Sequence, residues 1–190
     1  VAKRKKQRVQ PKPGPPKISP IKKILMIPIS LIIIGGVVLA YSALQKPNNP
    51  VAVIELAKGG TIEMELYTKE TPISANNFIK LVNEKFYDGL KFHRVEPGFV
   101  VQTGDPEGTG MGGPGYTIED EPSKNPHVRG AVGMAKSQAP NSAGSQWYIC
   151  LDDASFLDGG YTVFGKVIKG MEYVDKIEIG DKMKTVTMKE

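Results

Sequence analysis

The chain has 190 residues, 25 basic, 20 acidic and a single cysteine, with a formal charge of +5. One cysteine excludes an intrachain disulfide and a thiolate metal site. Nine basic residues and no acid fall within residues 1–23, which leaves 16 basic against 20 acidic residues, or −4, in the remainder. That balance argues against nucleic-acid binding by the body, because neutralising phosphates needs clustered Lys and Arg.

Residues 1–23 form a basic tail whose "PKPGPPKISP" stretch, 11–20, reads as an extended cytoplasmic stub. Residues 24–44, "ILMIPISLIIIGGVVLAYSAL", carry no charge. As a helix they would span roughly 30 Å, the hydrocarbon thickness of a bilayer. Pro28 falls in the first turns, where proline does least harm. The long n-region and apolar run favour an uncleaved anchor over a cleaved signal peptide, which would use a loose small-residue site near Ala40–Ala43. The positive flank predicts a cytoplasmic N-terminus and a body across the membrane. Residues 45–50 are a polar linker, and 51–190 are the body.

"VAVIELAKGGTIEMELY" reads as a hairpin turning at Lys58-Gly59-Gly60, with Ile62, Met64 and Leu66 inward and Glu63 and Glu65 outward. A helix follows, capped by Thr71 with Pro72 at its first position and with Ala75, Phe78, Ile79 and Val82 on its apolar face. Strand-like runs come next: "LKFHRV", "FVVQT", "AVGMA", "QWYICL" and "TVFGKVI". A short helix, "GMEYVDKI", precedes a last strand, "KMKTVTM". The pattern predicts a mainly β fold, a closed eight-stranded antiparallel barrel with a helix over each open end.

Between the strands, Gly108, Gly110 and Gly113 fit G-x-G-x-x-G. A dinucleotide cradle needs those glycines to open a helix that holds the pyrophosphate. Here Gly113 is followed by "PGYTIEDEPSKNP", with three prolines and no helical period. No cofactor is expected, and an oxidoreductase would betray itself by tight NAD(P) binding. The glycines instead let a loop fold tightly against something. Cys150 sits in an apolar run and reads as a buried, inert thiol. His93 should point away from its neighbour Arg94 on a strand, and His127 stands alone in a proline-rich loop. "NSAGSQ" lacks the G-x-S-x-G of a serine hydrolase, and no metal-ligand cluster is visible.

Two stretches are more specific. "FHRVEPGFVVQTGD", 92–105, and "NSAGSQWYICLDDASFLDGGYTVFGKVIKGMEYVDKI", 141–177, resemble the cyclophilin family of peptidyl-prolyl isomerases. Six short motifs recur in order, and the resemblance runs from Val51 to the C-terminus. It implies a catalyst of X-Pro isomerisation acting on proline-containing polypeptides, probed by a rate assay with and without Arg94. Arg94 would be the donor to the proline nitrogen, with Gln102 orienting it or gripping the substrate backbone, and Phe99 would match a pocket position beside it. Val100, Tyr148, Leu157, Phe156 and Tyr161 match pocket positions; Ala135 and Gln146 match positions that hold the peptide backbone; Gly108 matches a glycine at the groove edge.

The chain departs from the family at several points. Val100 stands where many members have Met, Phe156 where Trp is common, and Tyr161 where eukaryotic members have His. The Trp indole donates to cyclosporin; Phe has no donor, so weak cyclosporin binding is expected, and nanomolar inhibition would contradict it. "KSQAPN" is one residue longer than the eukaryotic loop, so Lys136, Ser137 and Gln138 receive no groove role. These features resemble bacterial members. The expected protein is a monomeric, single-pass membrane enzyme with its catalytic domain outside the cytoplasm, helping exported chains to fold. The rival reading is a proline-peptide-binding module or holdase that uses the same groove without turnover, a module that has no need of Arg94.

Overall fold

A computed structural model describes residues 49–189 and Gly14. The basic tail and apolar run of the N-terminus therefore lie outside the described residues, apart from Gly14. Among the described residues, no helix is long and apolar enough to cross a membrane.

The body opens with β1 (Val51–Leu56) and β2 (Thr61–Leu66), then α1 (Pro72–Asn83), β3 (Arg94–Glu96) and β4 (Val100–Thr103). There follow β5 (Ala131–Met134), β6 (Trp147–Cys150), a 3₁₀ turn (Ser155–Leu157), β7 (Val163–Lys169), α2 (Met171–Val174) and β8 (Met183–Met188). The β1–β2 turn places Gly59 and Gly60 at φ +94° and +105°, a region closed to most L-residues. Alternation along β2 sends Ile62, Met64 and Leu66 into the core, as the period of two requires.

The strands pair antiparallel in one sheet, in the order β3-β4-β6-β5-β7-β2-β1-β8. This corrects the closed barrel: the sheet curls, but no ladder joins β3 to β8. β3 has only three residues before the Pro97-Gly98 turn, where Phe99 N–H donates to Glu96 O at 2.9 Å. The seam is made instead by segments preceding both strands. Lys91 bridges Lys182, and Phe92 N–H donates to Asp181 O at 2.8 Å while Met183 N–H donates to Leu90 O at 2.9 Å. The β1–β8 pairing also brings the first and last strands together, with Lys189 N–H donating to Val51 O at 2.8 Å.

α1 lies against β7 and β8, and α2 against β2. Thr71 does not cap α1 through its side chain; its hydroxyl donates to Tyr67 O at 3.1 Å. The carboxylate of Glu121 takes that place, accepting from Ile73 N–H and Ser74 N–H at 2.9 Å each. Ile79 is only partly buried, and Leu81 joins Ala75, Phe78 and Val82 on the packed face. α2 is a single turn, shorter than the expected segment, begun by Gly170 in a left-handed conformation.

Two apolar clusters sit on opposite faces of the sheet. The larger holds an aromatic group: Phe78 stacks on Tyr87 (centroids 5.1 Å apart) and meets Trp147 edge-on at 5.7 Å. Fully burying each such ring contributes about 1.5–3 kcal/mol. The smaller holds Val100, Ala131, Tyr148, Cys150, Ala154 and Val163. Strand alternation divides β6 between them: Trp147 and Ile149 go to the first, Tyr148 and Cys150 to the second.

Candidate active site

Register builds a row of side chains across four strands. Arg94 pairs with Gln102 across β3–β4, Gln102 with Tyr148 across β4–β6, and Tyr148 with Gly133 across β6–β5. Gly133 is required there: a Cβ would lie 2.3 Å from Tyr148 Cζ. The row borders a slot of about 300 Å³ lined by Arg94, Phe99, Val100, Gln102, Ala135, Lys136, Tyr148, Leu157 and Tyr161. Tyr161 meets Tyr148 edge-on at 6.4 Å. An adjoining hollow of about 440 Å³ shares Gln102, Ala135 and Lys136 with the slot and reaches Gln146, Gly110 and Gly112. Lys136, given no role from sequence, lines both and pairs with Asp120 at 2.8 Å.

A chain of side-chain hydrogen bonds runs along one wall. Arg94 Nη1 donates to Gln102 Oε1 at 3.2 Å, and Gln102 Nε2 donates to Gln146 Oε1 at 2.9 Å. Gln146 Nε2 donates in turn to the carbonyls of Gly110 (3.0 Å) and Gly112 (2.9 Å). Those carbonyls only accept, so they set the direction of every amide back to the guanidinium. Arg94 is 45% exposed, with its Cζ 5.7 Å from the centre of the Phe99 ring and its Nε 3.5 Å from Glu96 Oε1. The guanidinium is thus held at the lip of a slot whose apolar walls are Phe99, Val100 and Leu157, while still offering donors.

The glycine loop folds around the buried carboxylate of Asp105, a role not foreseen from sequence. Its oxygens accept from Glu107 N–H (2.8 Å), Thr109 N–H (2.8 Å) and Gly110 N–H. A Cβ on Gly112 would lie 2.1 Å from Asp105 Oδ1. Burial pushes the Asp105 carboxyl up, but the backbone donors of Glu107, Gly110, Gly112 and Gly108 outweigh it and hold the group at about 2. The readable signal was an acid at the head of a glycine-rich loop.

Two of the matched positions, Gly108 and Phe156, line neither hollow, and Gln146 lines only the adjoining one. Gly108, at φ +65°, packs against the Lys91 side chain, and Gly110 and Gly112 reach the groove instead. Phe156 is 76% exposed, its ring 5.4 Å from Phe99, and presents only carbon. His93 precedes β3 and lies beneath Gly110; it lines neither hollow, and burial lowers its pKa.

His127 is not alone, contrary to the sequence reading. Its Nδ1 lies 2.7 Å from Asp158 Oδ1 and its Nε2 2.9 Å from the Tyr148 hydroxyl. Cys150 is buried, and that burial, helped by the Asp158 and Asp153 carboxylates, pushes its thiol up to about 11, the character of an inert group. Among the described residues no group of three or more His, Cys, Asp or Glu is placed to hold a metal.

The family model "Cyclophilin type peptidyl-prolyl cis-trans isomerase/CLD" matches residues 51–190. The chain is 50% identical over 133 residues to peptidyl-prolyl cis-trans isomerase B of Bacillus subtilis, covering 69% of this chain and 92% of that protein. It is 46% identical over 131 residues to a peptidyl-prolyl cis-trans isomerase of Helicobacter pylori, covering 67% and 80%. The fold is similar to the crystal structure of a cyclophilin type peptidyl-prolyl cis-trans isomerase of Cryptosporidium parvum in the presence of the dipeptide Ala-Pro. There the TM-score is 0.68 at 29% identity, over 74% of this chain and 99% of that one. Slot, guanidinium and relatives lead to one conclusion: the chain belongs to the cyclophilin-type peptidyl-prolyl cis-trans isomerase family.

Proposed function

We propose that the chain isomerises X-Pro bonds of polypeptides folding outside the cytoplasmic membrane, with residues 24–44 as its anchor. The peptide C–N bond resists rotation by about 18–20 kcal/mol because the nitrogen lone pair is shared with the carbonyl. In the twisted state that lone pair returns to the nitrogen. A fixed donor aimed at the nitrogen therefore binds the twisted state better than the planar one, and the barrier falls by that difference.

The observation that carries this reading is the Arg94–Gln102–Gln146 chain ending beside the slot walled by Phe99, Val100 and Leu157. Val100, Tyr148, Leu157 and Tyr161 are suited to hold the pyrrolidine ring while Arg94 faces its nitrogen. Phe99 carries the guanidinium over its ring face, and Ala135 and Gln146 flank the path of the peptide backbone. Guanidinium suits the task because it stays charged at working pH and its planar fork is orientable by one amide.

The test is the rate of cis-proline tetrapeptide isomerisation by the full chain and by Arg94→Ala. The expected result is a fall in kcat/KM on the order of 10²-fold, the usual cost of removing a donor aimed at developing charge. Equal rates would end the reading. For location, support comes from the charge-free run at 24–44 with nine cations before it. A C-terminal tag is expected to be digested by protease added to spheroplasts, and protection of the tag would overturn the orientation.

A further inference from the structure

Beneath the slot lies a buried polar triad that the isomerisation chemistry leaves unused. His127 is 1% exposed, and its ring stacks on Tyr148 with centroids 6.0 Å apart and planes 17° apart. The Asp158 carboxylate can only accept, so the His127 nitrogen facing it, Nδ1, carries the proton. In the neutral ring Nε2 then holds a lone pair, and the Tyr148 hydroxyl at 2.9 Å must be its donor. The phenol proton is thereby committed to His127 and is not free for a ligand in the slot.

The same histidine also ties down the facing wall. Its backbone N–H donates to Asp158 Oδ1 at 2.9 Å, and its carbonyl accepts from Ala154 N–H at 2.7 Å. Ala154 and Asp158 bracket the 3₁₀ turn that carries Phe156 and Leu157. Leu157 and Tyr148 both line the slot. One residue thus bonds to the side chain of one wall and to both ends of the turn bearing the other.

We infer that His127 is a positioning residue, which sets the width of the proline slot by fixing Tyr148 and the Phe156–Leu157 turn to each other, with Asp158 choosing its tautomer. The inference rests on the reading that this slot receives the proline ring.

The test is a double-mutant cycle on the full chain, in the tetrapeptide assay. Asn at 127 can still serve Asp158 but is too short to reach the Tyr148 hydroxyl. His127→Asn is expected to raise KM, lowering kcat/KM about tenfold with kcat within about twofold, since a mis-set slot weakens ground-state and twisted-state binding alike. His127→Gln, whose Oε1 can take the place of Nε2, should recover to within about threefold of wild type. In a Tyr148→Phe background, His127→Asn should cost no more than about twofold further, because its partner is already gone. An equal loss in both backgrounds, or no loss in a protein with an unchanged melting curve, overturns the inference. If the variants do not fold, nitrogen NMR of histidine-labelled wild type decides: protonated Nδ1 with bare Nε2 is expected, and the opposite tautomer overturns it. Arg94→Ala separates the two levels. An unaffected rate there removes the slot reading itself; a large loss there with an additive cycle removes only the role of His127.

Discussion

Asp105 shows how a single side chain organises a functional edge. Its carboxylate gathers backbone N–H groups of the glycine loop, and the carbonyls of Gly110 and Gly112 then orient Gln146, Gln102 and Arg94 in turn. The folded pKa is depressed from 3.8 to about 2. The stabilisation is therefore complete above the unfolded value and is lost as pH falls from about 4 through about 2. A shift of that size corresponds to about 2 kcal/mol. Asp105→Asn is expected to lose about 2 kcal/mol in urea unfolding at neutral pH, and to flatten the acid limb of the stability curve. A variant with an unchanged acid limb would show that the loop does not depend on this charge. Residues of this kind are half legible in sequence. Arg94 stands out because the motifs around it are contiguous. His127 does not, because its partners Tyr148 and Asp158 lie 21 and 31 residues away along the chain, and no local pattern announces them.

At the level of elements, the signals that succeeded were periodic. The outward glutamates of β2 and the Pro72 start of α1 follow from alternation and from proline chemistry. β5 and β6 are buried on both faces, so alternation in burial vanishes there. Their existence was readable from composition, but the second apolar cluster was not, and the residues of the slot above it were legible only through the family resemblance, not through periodicity. α1 illustrates the other limit. Its cap is supplied by Glu121, 48 residues beyond Ile73, where the sequence offered the adjacent Thr71. Two backbone donors and the positive end of the helix dipole meet that carboxylate. Glu121→Gln keeps one acceptor and loses the charge, so a loss of about 1 kcal/mol in urea unfolding is expected. An unchanged midpoint would mean that water replaces the cap at no cost.

For the molecule as a whole, strand order was the least legible feature. Local patterns say that a strand exists, not which neighbour it takes. β2 pairs with β7, about a hundred residues later, and β1 with β8 at the opposite end of the body. The same reasoning predicts closure into a barrel, yet the brevity of β3 leaves the seam to Lys91 and Lys182.

That Lys189 hydrogen-bonds to Val51 has a consequence for connectivity. Entry and exit of the body share one doorway, so the order in which the chain is read need not begin there. A circular permutant that links 189 to 50 through a few glycines and starts afresh at Gly59, in the exposed hairpin tip, would keep every pairing but one turn. It is expected to retain isomerase turnover within about threefold, losing mainly unfolding resistance. A permutant that folds but does not turn over would mean the groove senses the integrity of a hairpin it never touches.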